Sequence, residues 1–227
     1  MNQFSRTEAL IGKENIEKLK NAKVAVFGLG GVGGHAVEAL ARAGIGHLVL
    51  VDYDTYDITN INRQIGALHS TIGRYKVDVM KERILDINPE AIVETYKLEE
   101  IEGQESNIIN SSFNYVVDAI DTMKNKLDLI EKCSTENINI VSITGSGNKL
   151  DATSFEVTDI YKTSVCPVCK ILRKELKNRG IKKLKVVYSK EIPIKPQTEE
   201  KVLASISFVP SVAGLIGAGE VIKDIIK

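Results

Sequence analysis

Lys23-Val24-Ala25-Val26-Phe27 runs directly into Gly28-Leu29-Gly30-Gly31-Val32-Gly33, and the fold turns on this stretch. A short β-branched run leads into G-x-G-x-x-G. From His35 onward, Ala36, Val37, Ala39, Leu40 and Ala43 recur on neighbouring helical turns, so the spacing predicts a helix to Arg42. Gly44 and Gly46 stop it, and Leu48 to Val51 is a continuous apolar run of the kind buried parallel strands show. In such a strand–loop–helix–strand unit Gly28 permits the tight turn and Gly30 lets the backbone approach a phosphate. Gly33 lets the helix pack close to the sheet. The helix N-terminus then offers free N–H groups and partial positive charge to an anion. Asp52 closes the second strand, 24 residues after Gly28, where a carboxylate can accept from ribose hydroxyls. This much reads as an adenine-nucleotide site and leaves NAD and ATP both open.

Outward from that unit the alternation continues. Lys76 to Ile87 reads as a second helix between Gly73 and Asn88-Pro89. Val93 to Tyr96, Tyr115 to Val117 and Asn139 to Ile143 read as strands. Short apolar strands alternating with helices predict a Rossmann-like, doubly wound α/β fold with a mostly parallel sheet. Beyond Gly147 the pattern changes. Ser154 to Thr158 alternates like an antiparallel strand, Val168 to Lys177 looks helical, Val186 to Ser189 is a strand and Val212 to Ile226 a terminal helix. The expected organisation is one domain over 1–227, with a nucleotide-binding core at 23–147 and an antiparallel, substrate-facing C-terminal part at 148–227. The loop from Glu191 to Lys201, with Pro193 and Pro196, reads as a mobile surface excursion.

Composition sets the limits. The 227 residues are 43% hydrophobic and 26% charged, an ordinary globular balance that excludes gross disorder. Three cysteines, an odd number, argue for a reducing, cytoplasmic setting over a disulfide framework. Met1 to Leu10 carries Arg6 and Glu8 and has no apolar core, so it does not read as a signal peptide. The longest uncharged stretch, Val202 to Gly219, holds Pro210, three Ser and three Gly. A membrane helix needs about 20 mostly apolar residues, so this stretch reads as buried core. Thirty basic residues balance thirty acidic ones, which excludes indiscriminate coating of nucleic acid.

The segment after Asp52 decides between the nucleotides. Tyr53-Asp54, Thr59-Asn60-Ile61-Asn62-Arg63-Gln64 and Gly73-Arg74-Tyr75-Lys76 occupy a region where a dehydrogenase would enter another βα unit. Arg63 and Lys76 suit a triphosphate, because cations there neutralise charge building on a leaving pyrophosphate. Asp118-Ala119-Ile120-Asp121 comes after the Tyr115–Val117 strand, where a carboxylate can hold a magnesium ion against phosphate oxygens. Singly, Arg63 could be a surface ion pair, Lys76 a helix-start charge and Arg6 a tail residue. Their joint order and spacing argue otherwise.

With its GxGGxG loop, D-x-D pair, N-x-x-R-Q run, G-x-x-K site and D-x-x-D pair, the chain resembles the ThiF/MoeB/HesA superfamily, relatives of the ubiquitin-activating enzymes. The likeness is close from Phe4 to Gly147 and looser beyond. It implies that Gly31, Asp52, Asn60, Arg63, Lys76 and Asp121 contact ATP, with Asp121 at the magnesium. It also implies that Arg6, in Arg6-x-x-x-Leu10-x-Gly12, crosses to a neighbouring subunit's phosphates in a homodimer. Thr122 departs from the family, which often has Asn after the second Asp. Within the superfamily the chain is most similar to the branch that dehydrates threonylcarbamoyladenosine in tRNA. The resembling segments include Phe4 to Thr7, Leu10 to Lys13, Ala39 to Gly46 and Val157 to Thr163. The activity so implied is ATP-dependent ring closure, with tRNA as partner. A sulfur-transfer accessory protein is a further partner this likeness admits.

The basic residues add an independent argument. Lys162 to Lys195 holds eleven Lys or Arg against Glu175 and Glu191, so the rest of the chain is net negative by nine. Such a block suits phosphate-backbone contacts, with a solvated helix face as the ordinary alternative. Cys166-Pro167-Val168-Cys169 is a single CxxC. Activators of ubiquitin-like proteins in the superfamily often carry two such pairs around zinc, and the second is missing here, so a plain pair of thiols is the favoured reading. The rivals are adenylation of the C-terminus of a small ubiquitin-like sulfur carrier, nicotinamide-dependent oxidoreduction, and an inactive nucleotide-binding scaffold. The missing CxxC weighs against the first and the absence of a substrate-domain His or Tyr motif against the second.

Overall fold

A computed structural model describes residues 1–98, 108–198 and 203–227. Its strands are β1 (Lys23–Phe27), β2 (His47–Val51), β3 (Ile92–Tyr96), β4 (Tyr115–Asp118), β5 (Ile140–Ile143), β6 (Phe155–Asp159) and β7 (Lys185–Ser189). Its longer helices are α1 (Ser5–Ile11), α2 (Lys13–Asn21), α3 (Gly33–Ala43), α4 (Lys76–Ile87), α5 (Met123–Thr135), α6 (Pro167–Asn178) and α7 (Phe208–Ile225). The strands form one sheet in the order β3-β2-β1-β4-β5-β7-β6, parallel throughout except for the antiparallel β6–β7 edge. This is the Rossmann-like, mostly parallel α/β fold with the antiparallel C-terminal extension that the sequence predicts.

Alternation along the strands splits the core in two. Val24, Val26, Leu48, Leu50 and Val141 face α3, α4 and α7, whereas Ala25, Phe27, Val49 and Val116 face Leu129 and Cys133 of α5. Further along that second face, Val186 and Tyr188 pack with Leu127 and Ile130 of α5 and with Leu172 and Leu176 of α6. A strand buried on both faces needs a continuous apolar run, which is what β1 and β2 have.

Three boundaries differ from the sequence reading. α1 and α2 precede the first strand, where the sequence reading places no helix. α7 begins at Phe208, four residues early, because Pro210 lies in its first turn and lacks only an N–H that no helical carbonyl needs. The loop from Glu191 to Lys201 and the stretch from Val202 to Gly219 fall partly outside the described residues. No described helix is long and apolar enough to cross a membrane.

The strand order reverses between β1 and β4. In open α/β sheets the crevice beyond the carboxyl ends of the strands at such a point is where ligands bind, and the glycine loop and Asp52 lie at that edge.

Candidate nucleotide site

The glycine loop links β1 to α3. Gly28 has φ +84°, and a Cβ there would lie 2.6 Å from the carbonyl oxygen of Ala119, so the loop is pressed against the turn after β4. A Cβ on Gly33 would lie 1.7 Å from the Gly28 oxygen, which fixes how closely α3 enters the sheet. A Cβ on Gly31 would meet Arg63 Cγ at 3.2 Å and Pro210 at 3.3 Å. Gly30 faces Gln64, whose Nε2 would lie 3.8 Å from such an atom.

Asp52, at the end of β2, is buried and accepts from Leu29 N–H at 2.6 Å through Oδ2 and from Asp54 N–H at 2.8 Å through Oδ1. It thereby ties the glycine loop to the second strand. Burial pushes its carboxyl up from the ordinary value, opposed by the Lys76 charge and by those two N–H donors. Lys76 opens α4 and is itself only 5% exposed. Its Nζ lies 2.7 Å from Asp54 Oδ2 and 4.0 Å from Asp52 Oδ1. The long connection between β2 and α4 is folded back to achieve this. Thr55 and Tyr75 form an antiparallel bridge, Tyr56 N–H donates to Arg74 O at 2.9 Å, and Lys76 N–H donates to Asp54 O at 3.0 Å.

Within that connection, Asn60 Oδ1 accepts from Asp57 N–H at 3.2 Å while Asp57 accepts from Thr59 N–H, closing a capping box. Arg63 Nη1 donates to Thr59 O and to Asn62 Oδ1, both at 2.9 Å, while its Cγ lies against Gly31. Gln64 is buried, and its Oε1 has no hydrogen-bond partner among the described residues. A buried amide oxygen left open next to the glycine loop is costly unless a ligand supplies a donor. Nothing in the N-x-x-R-Q run sets Gln64 apart by sequence alone.

The D-x-x-D pair divides. Asp118 is fully buried and does not reach solvent: Lys126 Nζ lies 2.7 Å from its Oδ2 and Ser142 Oγ donates to the same oxygen at 2.5 Å. Lys126, in α5, is 2% exposed and carries no sequence signal that would mark it. Asp121 is exposed, two residues past the Ala119 that abuts Gly28, and accepts from Thr122 Oγ1 at 3.4 Å.

Gly28, Gly30, Gly31, Gly33, Asp52, Asp54, Asn60, Arg63, Lys76 and Asp121 therefore share one edge of the sheet. Arg6 does not join them. It is exposed on α1, and neighbouring Phe4 packs on Gly44, where a Cβ would meet the ring at 3.5 Å. Gly44 caps the far end of the 11-residue α3, about 16 Å from the glycine loop at the helical rise. Two clefts of about 380 and 750 Å³ lie elsewhere, one lined by Phe4 and Arg42, the other by Asn139 and Lys183, and none of the nucleotide residues lines either.

In the basic C-terminal part, Lys170, Lys174 and Lys177 are exposed along α6, with Lys182 and Lys183 exposed after it. Among the described residues no salt bridge engages these five. Arg179, Lys185 and Lys190, by contrast, pair with Glu131, Asp224 and Glu156.

The pattern that defines the ThiF family matches residues 4–227. The tRNA threonylcarbamoyladenosine dehydratase of Bacillus subtilis (strain 168) is 45% identical over 243 residues, covering 100% of this chain and 96% of the relative. Among solved structures, the E. coli tRNA N6-threonylcarbamoyladenosine dehydratase TcdA in complex with AMP superposes with a TM-score of 0.91 and the ATP complex with 0.90. Both are 34% identical and cover 98% of this chain and 93% of theirs.

Proposed function

The chain belongs to the ThiF family, and on that premise we propose that it is an ATP-dependent enzyme that dehydrates N6-threonylcarbamoyladenosine in tRNA to its cyclic form. The observation that carries this reading is identity of 45% along the whole chain with a dehydratase of that name.

The work divides among the residues of the sheet edge. The N-terminus of α3 and the glycine loop take the phosphates. Asp52, already fixed by Leu29 and Asp54, accepts from the ribose hydroxyls. Arg63 and Lys76 sit where negative charge grows as the threonyl carboxylate attacks the α-phosphorus and pyrophosphate leaves. Because both cations are held by neighbouring acceptors before ATP arrives, little reorganisation accompanies that step. The carbamoyl group of the same side chain then attacks the activated carbonyl, and AMP leaves with one carboxylate oxygen, so the product has lost one water. An internal nucleophile needs positioning more than a catalytic thiol.

Magnesium is part of the proposal. No group of three metal-ligating side chains occurs among the described residues, which fits an ion held by one carboxylate and substrate phosphates. Exposed Asp121 would be that carboxylate, and the ion would neutralise charge on the phosphate oxygens. We further propose a cytoplasmic homodimer. Arg6 lies a helix length from its own site beside exposed Leu10, which suits an arm that completes the site of a second copy. Residues 148–227 would face the tRNA, with phosphates meeting the unpaired lysines of α6.

Incubation with ATP, magnesium and tRNA carrying the threonylcarbamoyl base, followed by nucleoside mass spectrometry, tests the activity. Loss of one water that depends on ATP is the expected result, and an unchanged mass with folded protein overturns it. Asp121→Ala should abolish AMP release while leaving stability within about 0.5 kcal/mol, as for most exposed sites. Near-normal AMP release would remove Asp121 from the metal.

A further inference from the structure

Cys166-Pro167-Val168-Cys169 forms the first turn of α6, with Cys166 at the N-cap and Pro167 at the first helical position. This spacing sets both cysteines on the first turn of one helix, as in reactive Cys-x-x-Cys pairs. Both side chains are buried, at 2% and 0% exposure. The approach to them is unusual. Cys166 N–H donates to Ser164 O at 2.5 Å, closing a γ-turn around Val165 at φ +60°. A β-branched residue in that region is a true outlier, and such strain concentrates at functional positions. The sulfurs also abut the segment after β5. A Cβ on Gly145 would lie 2.7 Å from Cys166 Sγ, and Thr144 Oγ1 lies 3.2 Å from Cys169 Sγ. Ordinary packing of two thiols accounts for neither the strained entry nor the polar contact.

We propose that Cys166 and Cys169 are a redox-active dithiol that hydrogen peroxide oxidises reversibly to an intrachain disulfide. The Cys166 thiolate attacks a peroxide oxygen: an S–O bond forms, the O–O bond breaks, and hydroxide leaves to be protonated by solvent. Cys169 then gives up its proton and attacks the Cys166 sulfur. The S–S bond forms, the S–O bond breaks, and the departing hydroxide takes that proton as water. Two thiols are oxidised and one peroxide is reduced to two waters. A dithiol reductant reverses the change by exchange.

The electrostatics assign the roles within the pair. Cys166 is drawn down to about 6 by the hydrogen bond from Cys169, against its own burial, with help from the N–H groups of Cys169 and Val168 and the charge of Lys149. Cys169 is pushed up by the same contact and by burial. Cys133, buried alone in α5, is pushed up to about 12 by burial and Asp118, so it serves as an internal control.

The full-length reduced protein is treated with hydrogen peroxide, denatured, alkylated and weighed. One alkylated cysteine, Cys133, and a peptide joining Cys166 to Cys169 are expected, with all three cysteines alkylated after dithiothreitol. Three alkylated cysteines after peroxide, or a disulfide through Cys133, overturn the proposal. The rate of disulfide formation should rise with pH about a midpoint below the ordinary thiol value of about 8.5, whereas a midpoint at or above that value removes Cys166 as the attacking group. Cys169→Ser should accumulate a dimedone-trapped sulfenic acid on Cys166. Absence of that adduct, in protein with unchanged circular dichroism, argues against the first step.

Discussion

Lys76 holds its ammonium between two carboxylates in a nearly sealed position, and Asp52 depends on it. Burial raises the Asp52 carboxyl, and the Lys76 charge is the foremost influence opposing that rise. If ionised Asp52 is what receives the ribose, ATP binding weakens as pH falls through the raised value. Lys76→Met removes the opposition, so binding should be lost at a higher pH than in the parent, read from nucleotide affinity against pH. An unchanged midpoint would uncouple the two residues. AMP release should also fall roughly 10²- to 10³-fold, the scale of losing one preorganised donor to a developing anion. For the fold the sign is opposite. A carboxyl raised on folding contributes stability that is complete below its unfolded value and lost as pH rises through the folded one.

At the scale of elements, α7 packs against the start of α3 and against β5 with no room to spare. A Cβ on Gly214 would lie 2.2 Å from Val32 O, and one on Gly217 would lie 2.4 Å from Ile143 Cδ1. Gly214→Val should therefore destabilise by about 1–3 kcal/mol, which lowers the melting temperature by roughly 2–4 °C per kcal/mol in a chain of this size. An unshifted melting curve would show that the helices can part without cost. Most strands and most of the helices after β1 are legible in the sequence, most plainly β1, β2, α3 and α4, whose apolar period announces them. α2 is amphipathic but short and buries only Leu19 fully, and α1 buries nothing fully. The proposed roles of the glycine loop, Asp52 and Lys76 can be read from sequence because phosphate and ribose chemistry ties residue type to spacing. Lys126 is not, since a lysine in a helix looks solvated until the fold sets Asp118 opposite it. The open oxygen of Gln64 is likewise a property of packing.

Across the whole molecule, formal neutrality hides a separation of charge. The chain outside Lys162–Lys195 carries the acidic excess, while five exposed lysines with no salt bridge among the described residues line α6 and the residues after it. If these meet tRNA phosphates, Lys170→Ala, Lys174→Ala and Lys177→Ala combined should weaken tRNA binding while leaving ATP affinity unchanged. The slope of log affinity against log salt should become shallower by about 2–3, at roughly 0.7–0.9 for each phosphate no longer neutralised. Filter binding across a salt series reads both quantities. A slope equal to the parent's would place the tRNA elsewhere.

The buried pair of Asp118 and Lys126 bears on descent. Exchanging either residue alone strands a charge, at about 3–5 kcal/mol, in a protein whose class holds about 5–15 kcal/mol in all. Exchanging both for apolar side chains of matching volume is often neutral. The single-step neighbours of this sequence at either position are thus heavily handicapped while the two-step neighbour is not. Lineages that carry the pair are therefore held to it until two changes arrive together.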